Sequence, residues 1–249
     1  MMTRNVTMAL LLALSPATGM AASAAPAAIA QAVADKARPA DMVAMDAGRK
    51  PAELLHFLGL KQGDRVLDVV AGGGYYSEII ARAVGPKGSV TAYQPGGAGP
   101  ALTAVRQHMP NIDLVTTGRD TVTFPPASFD LVLMHLVYHD TYVENPKYHM
   151  TRIDPQDFLA RIFAATKPGG VVGVVDHAAA PGGDARAVAA SLHRIDPERV
   201  KADFQRAGFV PDGESRILRV SGDDHSKPVF DPAVRGHTDR FVLKFRKPR

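Results

Sequence analysis

Short apolar runs alternate with amphipathic segments along the chain after residue 50. Each run is bounded by turn residues and is apolar at almost every position, which is typical of strands covered on both faces. The predicted strands are 65–70, 89–93, 112–116, 129–135 and 171–176, and the predicted helices are 51–58, 75–84, 101–109, 154–167 and 197–207. Because the crossovers are long enough for parallel pairing, this alternation predicts a doubly wound α/β domain.

The last part of the chain departs from the alternation. Residues 177–190 are mostly small and predict a loop. Two further strands are predicted at 214–221 and 239–246, joined by a polar segment that is rich in Asp, Pro and His and shows no clear helical pattern. The sequence therefore predicts seven strands, of which the last two are not separated by a helix.

The first strand runs directly into a glycine-rich turn. Ala71 is followed by Gly72–Gly74, and a predicted helix begins at Tyr75. Glycines let the backbone turn tightly and approach a ligand closely, and the start of a helix presents N–H groups that favour an anionic group. Asp68, near the end of the strand, places a carboxylate beside this turn. The stretch predicts a ligand site.

Composition narrows the classes of function. The chain has 249 residues, long enough for one sizeable α/β domain. Lys and Arg number 29 and Asp and Glu 25, for a net charge of +4, and the basic residues are mixed with acidic ones. This distribution favours a solvated surface over a nucleic-acid groove. The chain has no cysteine, which excludes disulfides, thiolate metal sites and cysteine nucleophiles.

The N-terminus has the three parts of a secretory signal peptide. Arg4 precedes an apolar run at 6–14 that is too short to span a bilayer, and Ala22–Ala24 forms an A-x-A cleavage pattern. Residues 1–24 are therefore predicted to be a signal peptide, and the mature protein to be exported to the periplasm without a transmembrane segment. Residues 25–50 are predicted to be a lead-in that packs over the sheet edge or the ligand cleft, and 51–249 to be the main domain.

Several motifs, taken in order, resemble the class I S-adenosylmethionine-dependent methyltransferases. They are the acidic strand and glycine turn at 66–74, the strand at 129–132, the turns at 167–170 and 207–209, and the strand at 239–243. The resemblance covers roughly residues 50–249 and extends to exported members of the family. It implies a doubly wound, seven-stranded, mostly parallel sheet with an antiparallel last strand. It also implies S-adenosylmethionine as cofactor and methyl transfer to an acceptor, which we expect to be a small molecule.

The resemblance further implies which residues contact the cofactor. Asp68 and the backbone of the glycine turn would hold its methionine part, the residue at the end of the second strand its ribose, and Asp120 its adenine amine. The implied cofactor-binding residues are Asp68, Ala71, Gly72, Gly73, Gly74, Tyr93, Gln94 and Asp120.

Two residues depart from the family pattern. Val70 stands in place of the first glycine of the motif, where a left-handed backbone would be strained. Tyr93 and Gln94 offer no carboxylate to the ribose. The altered motif, together with an export signal that leads away from the cytoplasmic supply of cofactor, motivates an alternative, a non-catalytic small-molecule binding protein on a methyltransferase scaffold. A dinucleotide site is a second alternative, but Ser77 stands where its third glycine is required.

Candidate catalytic residues follow the fourth and fifth strands, where this fold binds ligands. They are His135, His139 and His177. Imidazole is a suitable base near neutral pH, although His135 could equally fill a hydrogen-bonded structural position under the cofactor. Together with Asp140 and Asp176 these histidines could also bind a metal, but their spacing matches no established motif. The sequence therefore predicts no metal site.

Overall fold

Seven strands form one mixed sheet in this computed structural model, which describes residues 25–146 and 150–249. The predicted signal peptide, residues 1–24, lies outside the described residues. The strands are β1 (Arg65–Val69), β2 (Ser89–Tyr93), β3 (Ile112–Val115), β4 (Phe129–His135), β5 (Thr166–His177), β6 (Val210–Ser215) and β7 (Arg240–Arg246). Their order is β3-β2-β1-β4-β5-β7-β6; the pairs from β3 to β5 are parallel, and β7 runs antiparallel to both β5 and β6. The predicted fold class is confirmed.

Helices cover both faces of the sheet, as a parallel sheet requires. They are α1 (Ala27–Ala34), α2 (Ala40–Val43), α3 (Asp46–Arg49), α4 (Pro51–Leu58), α5 (Tyr75–Val84), α6 (Pro100–His108), α7 (Pro155–Ala165), α8 (Ala185–Leu192) and α9 (Pro197–Arg206), with a 3₁₀ helix at His139–Tyr142. Within the described ranges, no helix is both long and apolar enough to cross a membrane.

Two predicted elements were wrong. The loop predicted at 177–190 contains the start of α8, which Asp184 caps by accepting a hydrogen bond from the backbone N–H of Ala187 at 2.8 Å. The strand predicted at 214–221 is displaced, because β6 spans Val210–Ser215. The apolar residues that suggested the later position include Leu218, which is buried in the loop after β6 and packs against the core.

The core has one layer on each face of the sheet. Side chains alternate along each strand, so that Val66 and Leu133 pack on the side of α4 and α5, and Leu67 and Val132 on the side of α7 and α9. Phe204 of α9 stacks on Phe245 of β7 with ring centroids 4.3 Å apart. The two layers hold the sheet rigidly from both sides.

The order in which successive strands are added to the sheet reverses between β1 and β4, which pair in parallel. Strands β2 and β3 lie on one side of β1, and β4 and β5 on the other. In the parallel register Val69 pairs with both Tyr93 and Met134, so β1, β2 and β4 end at one edge. Ligands of open α/β sheets bind outside such a reversal, and this edge carries the predicted site residues.

Candidate active site

The turn after β1 is held open by left-handed backbone conformations. Val70, Gly72 and Gly74 have φ values of 57°, 58° and 89°. The N–H of Ala71 donates to the Tyr93 carbonyl at 3.0 Å, and the N–H of Gly72 donates to Gln94 Oε1 at 2.7 Å. The turn is therefore fastened to the end of β2 before α5 begins.

Val70 adopts the conformation that the sequence analysis identified as strained. A left-handed residue with a side chain costs roughly 1–2 kcal/mol, and a β-branched one is especially unusual there. The surrounding hydrogen bonds hold the turn in this shape although valine stands in place of glycine.

Asp68 is the buried carboxylate of the turn. Asp68 is 3% exposed, and Ser77 Oγ donates a hydrogen bond to Asp68 Oδ2 at 2.6 Å. Burial raises the pKa of Asp68 to about 6, against the opposing effects of the Ser77 hydrogen bonds and the Arg49 charge. A cationic ligand group would complete the environment of this carboxylate.

A cavity of about 360 Å³ opens beside Asp68 and the glycine turn. Its volume lies within the range of about 300–1,000 Å³ that is usual for small-molecule sites. Its wall is formed by Asp41, Met42, Met45, Arg49, Asp68, Val70, Ala71, Gly72, Gly73, Tyr75, Tyr76, Ala101, His135 and Leu136. Asp68, the glycine turn and His135, which the sequence analysis assigned to the ligand site, therefore line one cavity.

Residues of the lead-in form one wall of this cavity. Packing over the ligand cleft was one of the two positions predicted for this segment. Met42, Met45 and Arg49 face the glycine turn across the cavity. Tyr75 Oη of α5 donates to Asp46 Oδ1 at 2.7 Å, and Arg240 Nη2 of β7 donates to the Gly48 carbonyl at 2.6 Å. These contacts bind the lead-in to the domain. No residue of the lead-in could be assigned to the ligand site from the sequence, because the segment is Ala-rich and contains no motif.

The remaining predicted cofactor residues lie around or beyond a second, narrower cavity of about 30 Å³. Tyr93 lines it and is fully buried, without a hydrogen-bond partner for its hydroxyl among the described residues. Asp120 is exposed and lines neither cavity, whereas its neighbour Arg119 lines the narrow one. Arg119 is fixed by donating to the Asp140 carbonyl at 2.6 Å.

His135 is a neutral imidazole in the larger cavity. Burial first, and then the positive charges of Arg49 and Arg240, lower its pKa well below the usual value. Its ring lies 4.6 Å from that of Tyr76, and its Nε2 has no hydrogen-bond partner in the described part of the chain. This nitrogen is available to a ligand.

His139 begins the 3₁₀ helix after β4, and His177 is the last residue of β5; the two rings have different partners. His139 Nδ1 donates to Asp176 Oδ1 at 2.8 Å, and Asp176 Oδ2 accepts the backbone N–H of His139 at 2.8 Å. Burial disfavours the charged form of His139, but the Asp176 carboxylate outweighs it and raises its pKa to about 9. His177 hydrogen-bonds Thr238 at 2.7 Å, and burial lowers its pKa to about 4.

His193 is a fourth histidine beside this group. Its ring centroid lies 5.5 Å from that of His139 and 4.9 Å from that of Phe230. It follows α8 in a left-handed conformation with φ 53°. Sequence reasoning did not assign it to the site, because its distance along the chain from β4 gives no local signal.

Comparison with known proteins agrees with this geometry. Residues 66–170 match a methyltransferase domain model, and residues 31–96 match a model of protein-L-isoaspartate(D-aspartate) O-methyltransferase. The two matched ranges and the fold support the class I S-adenosylmethionine-dependent methyltransferase superfamily. S-adenosylmethionine is the cofactor of this superfamily. The Asp68 carboxylate and the glycine turn of this methyltransferase domain lie inside the matched range.

A curated relative and two solved structures are similar to this chain. Ribosomal RNA small subunit methyltransferase H of a Nostoc species is 33% identical over 101 residues, which are 39% of this chain and 32% of the relative. The match thus spans about a third of that relative's length. An Aquifex aeolicus S-adenosylmethionine-dependent methyltransferase is 18% identical with a TM-score of 0.57, over 85% of this chain and 99% of its own.

The second structure is the 1,6-didemethyltoxoflavin-N1-methyltransferase of Burkholderia thailandensis, bound to 1,6-didemethyltoxoflavin and S-adenosylhomocysteine. It is 19% identical with a TM-score of 0.55, over 84% of this chain and 80% of its own. At these identities the two structures show that this chain has the methyltransferase fold.

Proposed function

We propose that this protein transfers a methyl group from S-adenosylmethionine to a small-molecule acceptor. The observation that carries the proposal is the buried Asp68 carboxylate, which faces the 360 Å³ cavity beside the glycine turn. This cavity lies at the reversal point of a methyltransferase domain, where the fold binds its ligand.

The residues present fit the cofactor by their chemistry. S-adenosylmethionine carries an ammonium, a carboxylate and a sulfonium. Asp68 is an acceptor for the ammonium, because among the described residues its buried carboxylate is hydrogen-bonded only by the side chain and backbone of Ser77. Arg49 and the N–H groups at the start of α5 suit the carboxylate. When bound, the cofactor supplies the methyl group that a nucleophile on the acceptor takes up in one displacement.

Of the three candidate catalytic histidines, His135 has the best position for contact with a ligand in this cavity. Its Nε2 is unpartnered, and its ring is uncharged at neutral pH because burial lowers its pKa. It can accept a hydrogen bond from the O–H or N–H of an acceptor and so orient that nucleophile toward the methyl group. His139 and His177 lie further along the same edge.

A small acceptor fits the site better than a nucleic acid. The 360 Å³ cavity includes apolar side chains such as Met42, Met45 and Leu136, which suit an organic molecule. The net charge of +4 is small for a protein that grips a phosphate backbone. The similarity to a ribosomal RNA methyltransferase makes RNA the acceptor class against which this choice is tested.

Calorimetric titration of the purified chain with S-adenosylmethionine tests the cofactor site. We expect one site per chain, and binding weakened by about 10- to 100-fold in Asp68→Ala, since hydrogen bonds to charged groups contribute about 1.5–3 kcal/mol. Asp113→Ala, at an exposed position on β3, is the matched control and leaves the affinity unchanged. A folded protein that binds no S-adenosylmethionine contradicts the proposal.

The second candidate function is a binding protein without catalysis. Two observations favour it: the left-handed backbone at Val70, and the lack of a carboxylate at Tyr93 and Gln94, where the family resemblance implies an acidic ribose ligand. Formation of S-adenosylhomocysteine distinguishes the two. Incubation with fractionated small molecules and, separately, with ribosomal RNA should yield it only with a small-molecule fraction. Tight cofactor binding without turnover in any fraction would favour the binding protein, and turnover with RNA alone would contradict the choice of acceptor.

We also propose that the mature protein acts outside the cytoplasm, after cleavage of the predicted signal peptide at Ala24. The three-part pattern at residues 1–24 supports this. N-terminal sequencing of the protein from the periplasmic fraction should give a start at Ala25. An uncleaved N-terminus or an exclusively cytoplasmic protein would contradict it.

A further inference from the structure

A second group of side chains beside the cofactor cavity has the composition of a metal site. His139, Asp140 and His193 each bring one ligand atom into a region where these atoms all lie within 4.8 Å of one another. We propose that they bind one divalent transition-metal ion.

Asp176 orients the first ligand. Because Nδ1 of His139 is hydrogen-bonded to Asp176 at 2.8 Å, the ring presents Nε2 on its other side, 3.4 Å from Asp140 Oδ1. Asp176 is itself held by the backbone N–H groups of His139 and His177, each at 2.8 Å. A histidine that ligates a metal commonly donates its second ring nitrogen to a carboxylate in this manner, which fixes the tautomer and the ring orientation.

His193, the second histidine, has a left-handed backbone and is followed by a buried ion pair. His193 has φ 53°, a conformation that costs about 1–3 kcal/mol and persists only where the surroundings impose it. The next residue, Arg194, is fully buried and pairs with Asp223 at 2.8 Å. After it, the N–H of Ile195 donates to the His177 carbonyl at 3.0 Å. The His193 backbone is thus tied to the end of β5.

The local charge also suits a cation. Asp140 and Asp176 bring two carboxylates to this edge, and within the described ranges the ion pairs of both are made with His139 and not with Lys or Arg. A divalent ion would balance two negative charges beside the buried ring of His139.

The ligand set defines the class of ion. Two imidazoles and one carboxylate suit zinc, iron(II), cobalt(II) or manganese(II), and they leave coordination positions for water or another molecule. Asp140 and Val70 line the same narrow cavity, and Val70 also lines the larger one. The ion would therefore border the cavity system of the domain. The metal site does not depend on which reaction the domain catalyses.

Metal binding to the purified chain tests the inference directly. After dialysis against a chelator, Zn²⁺ is titrated by calorimetry and Co²⁺ by its visible absorption. We expect one ion per chain for both. His193→Gly keeps the left-handed backbone accessible while removing the imidazole, and it should weaken binding by more than about 100-fold. Asp176→Asn should weaken it by about 10- to 100-fold, as loss of such outer partners does. His108→Ala, an exposed histidine on α6, is the matched control.

Thermal unfolding provides an independent readout that also reports whether each variant is folded. An ion that binds the native state raises the melting temperature, so Zn²⁺ should stabilise the unmodified chain and His108→Ala but not folded His193→Gly. Equal Zn²⁺ affinity in the unmodified chain and in His193→Gly would overturn the inference. So would the lack of any binding by the folded, unmodified chain, whatever its affinity for S-adenosylmethionine.

Discussion

The glycine turn and the histidine group occupy the same edge of the sheet but are assembled in opposite ways. The turn is continuous in sequence, from Asp68 to Ser77, and its main contacts are made by its own backbone and by the end of β2. The histidine group combines the loop after β4, the end of β5 and the residue after α8. A local site is set by its own turn chemistry, whereas a composite site depends on the packing of distant segments.

This difference predicts that the two sites fail separately. Changes in the segment around Arg194 should disturb the histidine group and leave the cofactor cavity intact. Changes in the turn should do the reverse, because the turn and the histidine group share no hydrogen bond in the described part of the chain.

The largest expected effect comes from the buried ion pair behind His193. Arg194→Met leaves Asp223 buried without its partner and should lower the free energy of unfolding by about 3–5 kcal/mol, measured by urea denaturation. Arg216→Met, at an exposed arginine, is the control and should change it by less than about 0.5 kcal/mol.

The same variant tests whether the sites are separable. Folded Arg194→Met should bind S-adenosylmethionine as the unmodified chain does, because Arg194 does not line the cofactor cavity. A parallel loss of cofactor affinity would show that the two regions act as one unit.

The next largest effect concerns Asp68 and pH. Its pKa of about 6 in the folded chain is higher than the 3.8 of an exposed aspartate, so the native state holds this proton more tightly than the unfolded state. This contribution to the stability of the ligand-free protein is therefore present below about pH 4 and is lost as the pH rises to about 6. A difference of about 2 pH units corresponds to about 3 kcal/mol.

Urea denaturation at several pH values measures this contribution. Asp68→Asn cannot ionise, so its stability relative to the unmodified chain should rise by up to about 3 kcal/mol between pH 4 and pH 7. The free energy of unfolding of Asp113→Asn, an exposed position on β3, should equal that of the unmodified chain at every pH. If the curves of Asp68→Asn and the unmodified chain stay parallel, burial of this charge does not determine the pH dependence.

The contrast between the two regions also explains which features of the fold and the site could be predicted from the sequence. The positions of β1 to β5 along the chain and the glycine turn beside Asp68 could be predicted, because apolar runs, turn residues and glycines report local backbone preferences. The antiparallel last strand was implied by the family resemblance alone. The wall formed by Met42 and Arg49, and the approach of His193 to His139, could not, because they follow from tertiary packing. Leu218 misled the strand prediction since burial in a loop produces the same apolar signal as a strand.

A smaller effect is expected where the turn is fastened to β2. Gln94→Ala removes the acceptor of the Gly72 N–H and should lower both the free energy of unfolding and that of cofactor binding by about 1 kcal/mol. Titration with S-adenosylmethionine would then show roughly fivefold weaker binding. The control is Gln107→Ala, at an exposed position on α6. Unchanged affinity would show that the turn keeps its shape without this bond.

The smallest net effect is expected at Val70, where two contributions oppose each other. Val70→Gly removes packing but relieves about 1–2 kcal/mol of left-handed strain, so the free energy of unfolding should change by less than about 1 kcal/mol. Val69→Gly, at the buried extended neighbour, loses packing without relief and should cost at least about 2 kcal/mol. Urea denaturation compares the two. Equal costs would mean that Val70 is unstrained, and the turn would then be as relaxed as the strand that precedes it.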